Sequence, residues 1–242
     1  MPRGGVLMSR TSILWSACLL GASGCALEER WDSLSDAGPP LTFAFPILER
    51  GLISTLSIGI DHDQEDQQGS LGGDAICTDY AGRSFPFCYD QHSGHDYLLR
   101  GGFDTMDEGS ATVLAAADGI VVETQDGHYD RCRLSGTKVD CAGGPLIANF
   151  IKIEHYSGVV SKYWHLMEGS LLVEPGEEVS CGQPIARIGS SGNSSMPHLH
   201  FGVETNEGWT LDPYAGPFSQ ETSLWEDQGV PEALPGAGCS AR

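Results

Sequence analysis

The sequence predicts an all-β protein built on antiparallel strands, and three observations carry that prediction. Short apolar runs alternate with turn-forming residues, no stretch of convincing length repeats its apolar positions at helical spacing, and glycine occurs 32 times in 242 residues. A surface helix needs apolar residues about every 3.6 positions, whereas a half-buried strand needs alternation and a turn at its end. The core is expected to be antiparallel β-sheet carrying disulfide-closed excursions.

The elements follow in order. Residues 1–24 combine a basic start (Arg3, Arg10, no acid) with the apolar TSILWSACLLGASG. That run is too short and wrongly flanked for a membrane span, so it reads as an export signal. LLGASGC resembles a bacterial lipobox, which makes Cys25 a lipidation candidate, with cleavage alone as the alternative. Residues 25–50 read as a tether and 51–84 as an acidic N-terminal extension. Asp61-His62-Asp63-Gln64-Glu65-Asp66 could be a calcium loop or a solvated acidic one, and it lacks the full spacing of an EF-hand.

The main domain is expected over 85–215, with an insertion at 124–149 and a C-terminal tail at 216–242. TVLAAA, Asp118-Gly119 and IVVE read as a hairpin, because Asp-Gly suits a two-residue turn. NFIKIEH, Tyr156-Ser157-Gly158 and VVSKYWHL read as a second, with Ile151 and Ile153 alternating against Phe150, Lys152 and Glu154. Glu174-Pro175-Gly176 separates further short runs.

Export would place six cysteines, Cys77, Cys88, Cys132, Cys141, Cys181 and Cys239, in an oxidising compartment. Fifteen pairings are possible. Short loops favour Cys77–Cys88 and Cys132–Cys141, leaving Cys181–Cys239 to pin the tail. A thiolate zinc site is disfavoured for want of a C-x-x-C pair. The balance of 13 basic against 33 acidic residues repels nucleic acid and anionic lipid, leaving a possible N-terminal lipid as the membrane contact. The chain is expected to act as a monomer.

Chemistry collects at the histidines. His198 and His200 stand two apart in MPHLHF, so on a strand both face one point, while Leu199 faces the core. His92 and Asp96 stand four apart with Gly94 between them. Two histidines and a carboxylate form a proper first shell for catalytic zinc, which keeps three protein ligands and one open position. His92, Asp96 and one of the His198/His200 pair would supply it. His165 ends a predicted strand in KYWHLM.

The order HSGHD, YWHL and SGNSSMPHLHF resembles the lysostaphin/LytM-type zinc metallopeptidases, peptidase family M23, over roughly residues 85–215. The resemblance implies the duplicated LytM fold, an antiparallel sandwich or groove, and one Zn²⁺ per chain, held by His92, Asp96 and His200. It implies that His165 and His198 stay unbound and share proton transfer and oxyanion stabilisation. It further implies hydrolysis of peptidoglycan stem or bridge peptides, in the periplasm or outside the cell. Met196 departs from the pattern, in which glycine usually stands before Pro-His-Leu-His, so a reshaped groove rim is expected.

Other histidines are expected elsewhere: His95 on the face opposite His92 and Asp96, and His62, His128 and His155 in surface or sheet positions. Trp164, Trp209 and Trp225 are expected to pack on the sheet or tail. Two alternatives share the fold. One is a catalytically silent domain that binds the wall or activates a hydrolase, and the other is a secreted zinc peptidase acting on proteins.

Overall fold

Twelve strands, β1 to β12, one short α-helix and a 3-10 turn at Arg50–Leu52 are laid out in a computed structural model that describes residues 40–63 and 76–239. The expected signal, Cys25, the first part of the tether, residues 64–75 and residues 240–242 lie outside the described residues. The strands are β1 (Ile53–Ile58), β2 (His95–Leu99), β3 (Thr112–Leu114), β4 (Gly119–Gln125), β5 (Arg133–Ser135), β6 (Lys138–Asp140), β7 (Phe150–His155), β8 (Val159–Trp164), β9 (Glu178–Val179), β10 (Pro184–Arg187), β11 (His198–Thr205) and β12 (Thr210–Leu211). The helix α1 spans Phe103–Asp107. The main sheet runs β1-β2-β11-β8-β7-β4-β9 with β12 on β11, beside two-stranded sheets β3–β10 and β5–β6. Every strand pair is antiparallel, as expected. No described helix is long and apolar enough to cross a membrane.

The predicted β7–β8 hairpin forms with Phe150 opposite Trp164 and His155 opposite Val159. Ile151 and Ile153 are fully buried while Lys152 and Glu154 are only half-buried, so the alternation in the sequence is the alternation in the sheet. Gly158 closes the turn at φ +71°, a conformation glycine adopts without penalty. The excursion at 124–149 extends β4 to Gln125 and then folds the β5–β6 hairpin, tied at its base by Cys132–Cys141.

The hairpin expected between residues 112 and 123 does not form. β3 pairs with β10, whereas β4 pairs with β7 and β9. The small residues Ala115, Ala116 and Ala117 carry the chain from one sheet to the other through the core. Their backbone is engaged on the way: Gly182 N donates to Ala115 O, and Ala116 N donates to the Tyr163 hydroxyl. Asp118-Gly119 is then a corner packed on β7, where a Cβ on Gly119 would lie 2.5 Å from Glu154 O.

The tether assignment is also corrected. Leu41, Phe43, Phe45 and Ile47 are buried, an alternation present in LTFAFPI, and they belong to the core. At about 1.5–3 kcal/mol for each large apolar side chain buried, this stretch is an integral strand-like segment. Phe43 bridges Trp225 of the tail in parallel, and Arg50 donates to Leu234 O (3.1 Å) and Pro235 O. β1, inside the acidic extension, forms the edge of the main sheet beside β2. Three disulfides form: Cys77–Cys88 and Cys132–Cys141, the pairs that short loops favour, and Cys181–Cys239, the pair they leave.

Candidate metal centre and active site

β11 lies between β2 and β8 at the middle of the main sheet, and that register builds the site. His200 stands opposite Asp96 on one side and opposite Trp164 on the other. Residues His198 and His200 share one face, while Leu199 and Phe201 on the other are completely buried. His92 arrives from the turn before β2, its N–H bonded to Tyr89 O. His165 follows β8 in a left-handed conformation, φ +64°, which turns it off the strand direction.

Three electron-donor atoms converge. His92 Nε2 lies 3.1 Å from Asp96 Oδ1 and 3.1 Å from His200 Nδ1, which lies 2.9 Å from Asp96 Oδ1. His92, Asp96 and His200 form the one group among the described residues whose ligand atoms all lie within 4.8 Å of one another, and all three are buried. His92 Nδ1 donates to Gly59 O at 2.7 Å, so neutral His92 turns a bare lone pair inward. Two ring nitrogens and a carboxylate oxygen then face one another with one proton at most between them. A cation resolves that crowding, and two nitrogens with one oxygen suit zinc. The donor set fits the metal.

Glycine at position 94 has a packing reason. A Cβ there would sit 2.4 Å from His200 Nε2 and 2.9 Å from Phe201 O, so the His200 ring occupies the space. Trp164 covers the same ring, with centroids 5.7 Å apart and planes inclined by 29°.

The two remaining histidines flank the cluster. His198 Nδ1 donates to Met196 O (2.8 Å), and its Nε2 lies 3.5 Å from Asp96 Oδ1. His165 Nδ1 donates to Ser191 O (2.7 Å), and its ring centroid is 4.6 Å from that of His198. Each neutral ring therefore keeps Nε2 as its acceptor nitrogen, as a proton-taking group requires.

Electrostatics separate these groups. Burial alone would raise the pKa of Asp96, but the adjoining His92 and His198, with hydrogen bonds from His198 and His200, hold it well below the usual range. Burial pushes His200 down to about 4 against the opposing pull of Asp96. Burial also holds His165 well below its ordinary value, with His198 and His200 adding to the effect. At His198 burial acts downward, but Asp96 outweighs it and the pKa rises.

Two participants escaped the sequence reading. Tyr89 stacks on His92, with centroids 4.1 Å apart; burial first, and then Asp96, to which it hydrogen-bonds, raise its hydroxyl pKa. Gly59 acts through its carbonyl, which no side-chain pattern reveals. His95 does face away, bonding Asp212 Oδ1 (2.9 Å), and His62 bonds Asp212 Oδ2 (2.8 Å). His155 is buried in the sheet, bonded to Asp118 O and Ser161. His128 bonds through its backbone N–H to Asn149, Trp225 of the tail is buried against Phe43 and Phe201, and Trp209 is exposed. The β5–β6 hairpin leans on the loop before β11: Cys132 N donates to Ser190 O (2.9 Å) and Leu134 N to Ser195 O (3.2 Å). Leu134 and Met196 are exposed along this rim.

The main antiparallel sheet thus carries a buried His-Asp-His cluster with two further histidines beside it, a set of side chains suited to metal-assisted hydrolysis. The family model for Peptidase family M23 matches residues 99–213 of this chain. The matched span includes His165, His198 and His200, with His92 and Asp96 just ahead of it. Peptidoglycan DD-endopeptidase ShyA of Vibrio cholerae is 29% identical over 110 residues, 46% of this chain and 19% of that protein. DD-carboxypeptidase/endopeptidase Mpg of Neisseria meningitidis is 31% identical over 128 residues, 52% of this chain and 25% of that one. The alignments thus span a quarter or less of those relatives. Among solved structures, the catalytic domain of lysostaphin from Staphylococcus simulans is 28% identical, covering 51% of this chain and 77% of that chain at a TM-score of 0.34.

Proposed function

We propose that this chain is an exported zinc metalloendopeptidase that hydrolyses peptide cross-links of bacterial peptidoglycan. The observation that carries the reading is the convergence of His92 Nε2, Asp96 Oδ1 and His200 Nδ1 beside the rings of His165 and His198. His92, Asp96 and His200 would hold one Zn²⁺. When bound, zinc would supply Lewis acidity, which can lower the pKa of a water molecule to about 7.

The chain's own residues do the rest. His165 and His198 are anchored through Nδ1, so Nε2 of either can take a proton from the attacking water and return it to the departing amine. The Nδ1–H bond to Ser191 O leaves Nε2 of neutral His165 as the accepting nitrogen. His198 faces Asp96, and in its protonated form it donates toward negative charge developing on the scissile carbonyl oxygen. The rim formed by Met196 and the β5–β6 hairpin walls the groove and selects the peptide. Residues 1–24 act as the signal and Cys25 as the site of a lipid anchor, leaving the domain in the periplasm or outside the cell, as a monomer.

The relatives named peptidoglycan endopeptidases support the substrate class. The deciding experiment incubates the purified secreted chain with peptidoglycan, proteins and small peptides, measures zinc by elemental analysis, and identifies released muropeptides by mass spectrometry. One zinc per chain and newly cut stem or bridge peptides are expected. Stoichiometric zinc without wall cleavage would overturn the substrate assignment, and protein cleavage alone would replace it with a secreted-protein peptidase.

A further inference from the structure

We propose that the tetrapeptide Gly59–His62 is the positioning segment of the metal centre, setting the tautomer and orientation of His92 from outside the span matched by the peptidase family. The inference rests on His92 being a ligand, as read above.

The segment grips the His92 turn at successive points. Gly59 O accepts His92 Nδ1–H at 2.7 Å, which commits the Nε2 lone pair to the cluster. A metal-binding histidine depends on such a partner for both tautomer and ring orientation. Two residues on, Asp61 N donates to His92 O at 2.9 Å. The Asp61 carboxylate accepts the Gln91 N–H at 3.1 Å through Oδ2, and the Asp63 (2.9 Å) and Thr78 (3.1 Å) N–H groups through Oδ1. Gln91 holds φ +60°, a left-handed conformation costly for a side chain with a Cβ, and the Asp61 contact is made to its backbone.

Both ends of the segment are fastened. Gly59 N donates to Phe87 O (2.7 Å) and Gly59 bridges Cys88, which is itself bonded to Cys77. At the other end His62 Nε2–H donates to Asp212 Oδ2 (2.8 Å), while Asp212 Oδ1 accepts from His95, the neighbour of Asp96 on β2. Asp212 therefore ties the segment to the strand that carries a second ligand. Gly59 also fits closely: a Cβ there would lie 3.2 Å from His95 Cε1.

The test uses the full secreted chain. In the metal-free parent, nitrogen-15 NMR of the imidazoles should find His92 in the Nδ1–H form, and a dominant Nε2–H form overturns the proposal. Zinc affinity is then measured by competition with a chromophoric chelator, with Co²⁺ absorption reporting geometry and thermal unfolding reporting the fold. Asp61→Ala should weaken zinc binding about 10–100-fold, the usual cost of losing an outer partner. His62→Ala should weaken it less, and His62→Gln, which keeps an N–H for Asp212, should recover most of that loss. A folded Asp61→Ala chain with parental zinc affinity and Co²⁺ spectrum overturns the positioning role alone. A parent that binds no zinc overturns the metal centre and this inference with it. Should Asp61→Ala fail to fold, the tautomer of the parent decides.

Discussion

At the scale of single residues, His198 and His200 face the same point yet sit in different environments, so their losses should differ. His200 contributes a donor atom to the cluster, and His200→Ala should release zinc, read by elemental analysis after dialysis. His198 is held by Met196 O and stands beside the cluster, so His198→Ala should keep zinc while turnover falls by about 10²–10⁴-fold. Zinc lost from His198→Ala but retained by His200→Ala would reverse the assignment. Gly94 provides an independent check. Gly94→Ala places a methyl group against His200 Nε2 and Phe201 O, an overpacking that costs about 1–3 kcal/mol. The strain falls on a ligand ring, so zinc affinity should drop along with the melting temperature. An unchanged affinity would mean that the ring moves aside freely.

Among the elements, the β5–β6 hairpin should matter to substrate and little to metal. It bonds the loop before β11 at Ser190 and Ser195 but supplies none of the converging atoms. Replacing Cys132 and Cys141 with serine releases a loop closed over 9 residues, worth roughly 2–3 kcal/mol by chain entropy. Wall digestion by that variant should show a raised KM with bound zinc unchanged, and loss of zinc would contradict the separation. The same elements show what the sequence could reveal. The β7–β8 hairpin was legible because Ile151 and Ile153 alternate with polar neighbours up to Gly158. The His198/His200 pair was legible because its spacing has one meaning on a strand. Asp118-Gly119 misled because a turn dipeptide says that the chain bends without saying which strand it next joins. β10 and β7 decide that, and both lie far along the chain. The large apolar residues at every second position of Leu41–Ile47 were masked by polar, proline-containing surroundings, and α1 is too short to display a period.

For the molecule as a whole, Asp212 fastens distant parts of the chain, joining the extension at His62 to β2 at His95. Burial raises its pKa, but the charge of His95 and bonds from His62, His95 and the Tyr214 N–H outweigh that and bring it down from 3.8 to about 2. A depressed carboxylate stabilises the fold fully above its unfolded pKa and loses that contribution as pH falls through the folded one. Asp212 should therefore contribute roughly 2 kcal/mol above pH ~4, fading toward pH ~2. Thermal unfolding across that window should show the slope in the parent and a flatter one in Asp212→Asn; equal slopes would remove Asp212 as the cause. The register of β11 between β2 and β8 also decides where descendants of this chain can grow or shrink. One residue gained at Gly136–Thr137 only lengthens an exposed hairpin loop. One gained between Leu199 and His200 would drive every later side chain of the strand through to the opposite face, ring and methyl alike. Inherited changes in length should thus accumulate at the groove walls and spare its floor, so that lineages diverge in the peptides they admit long before they diverge in the chemistry applied to them.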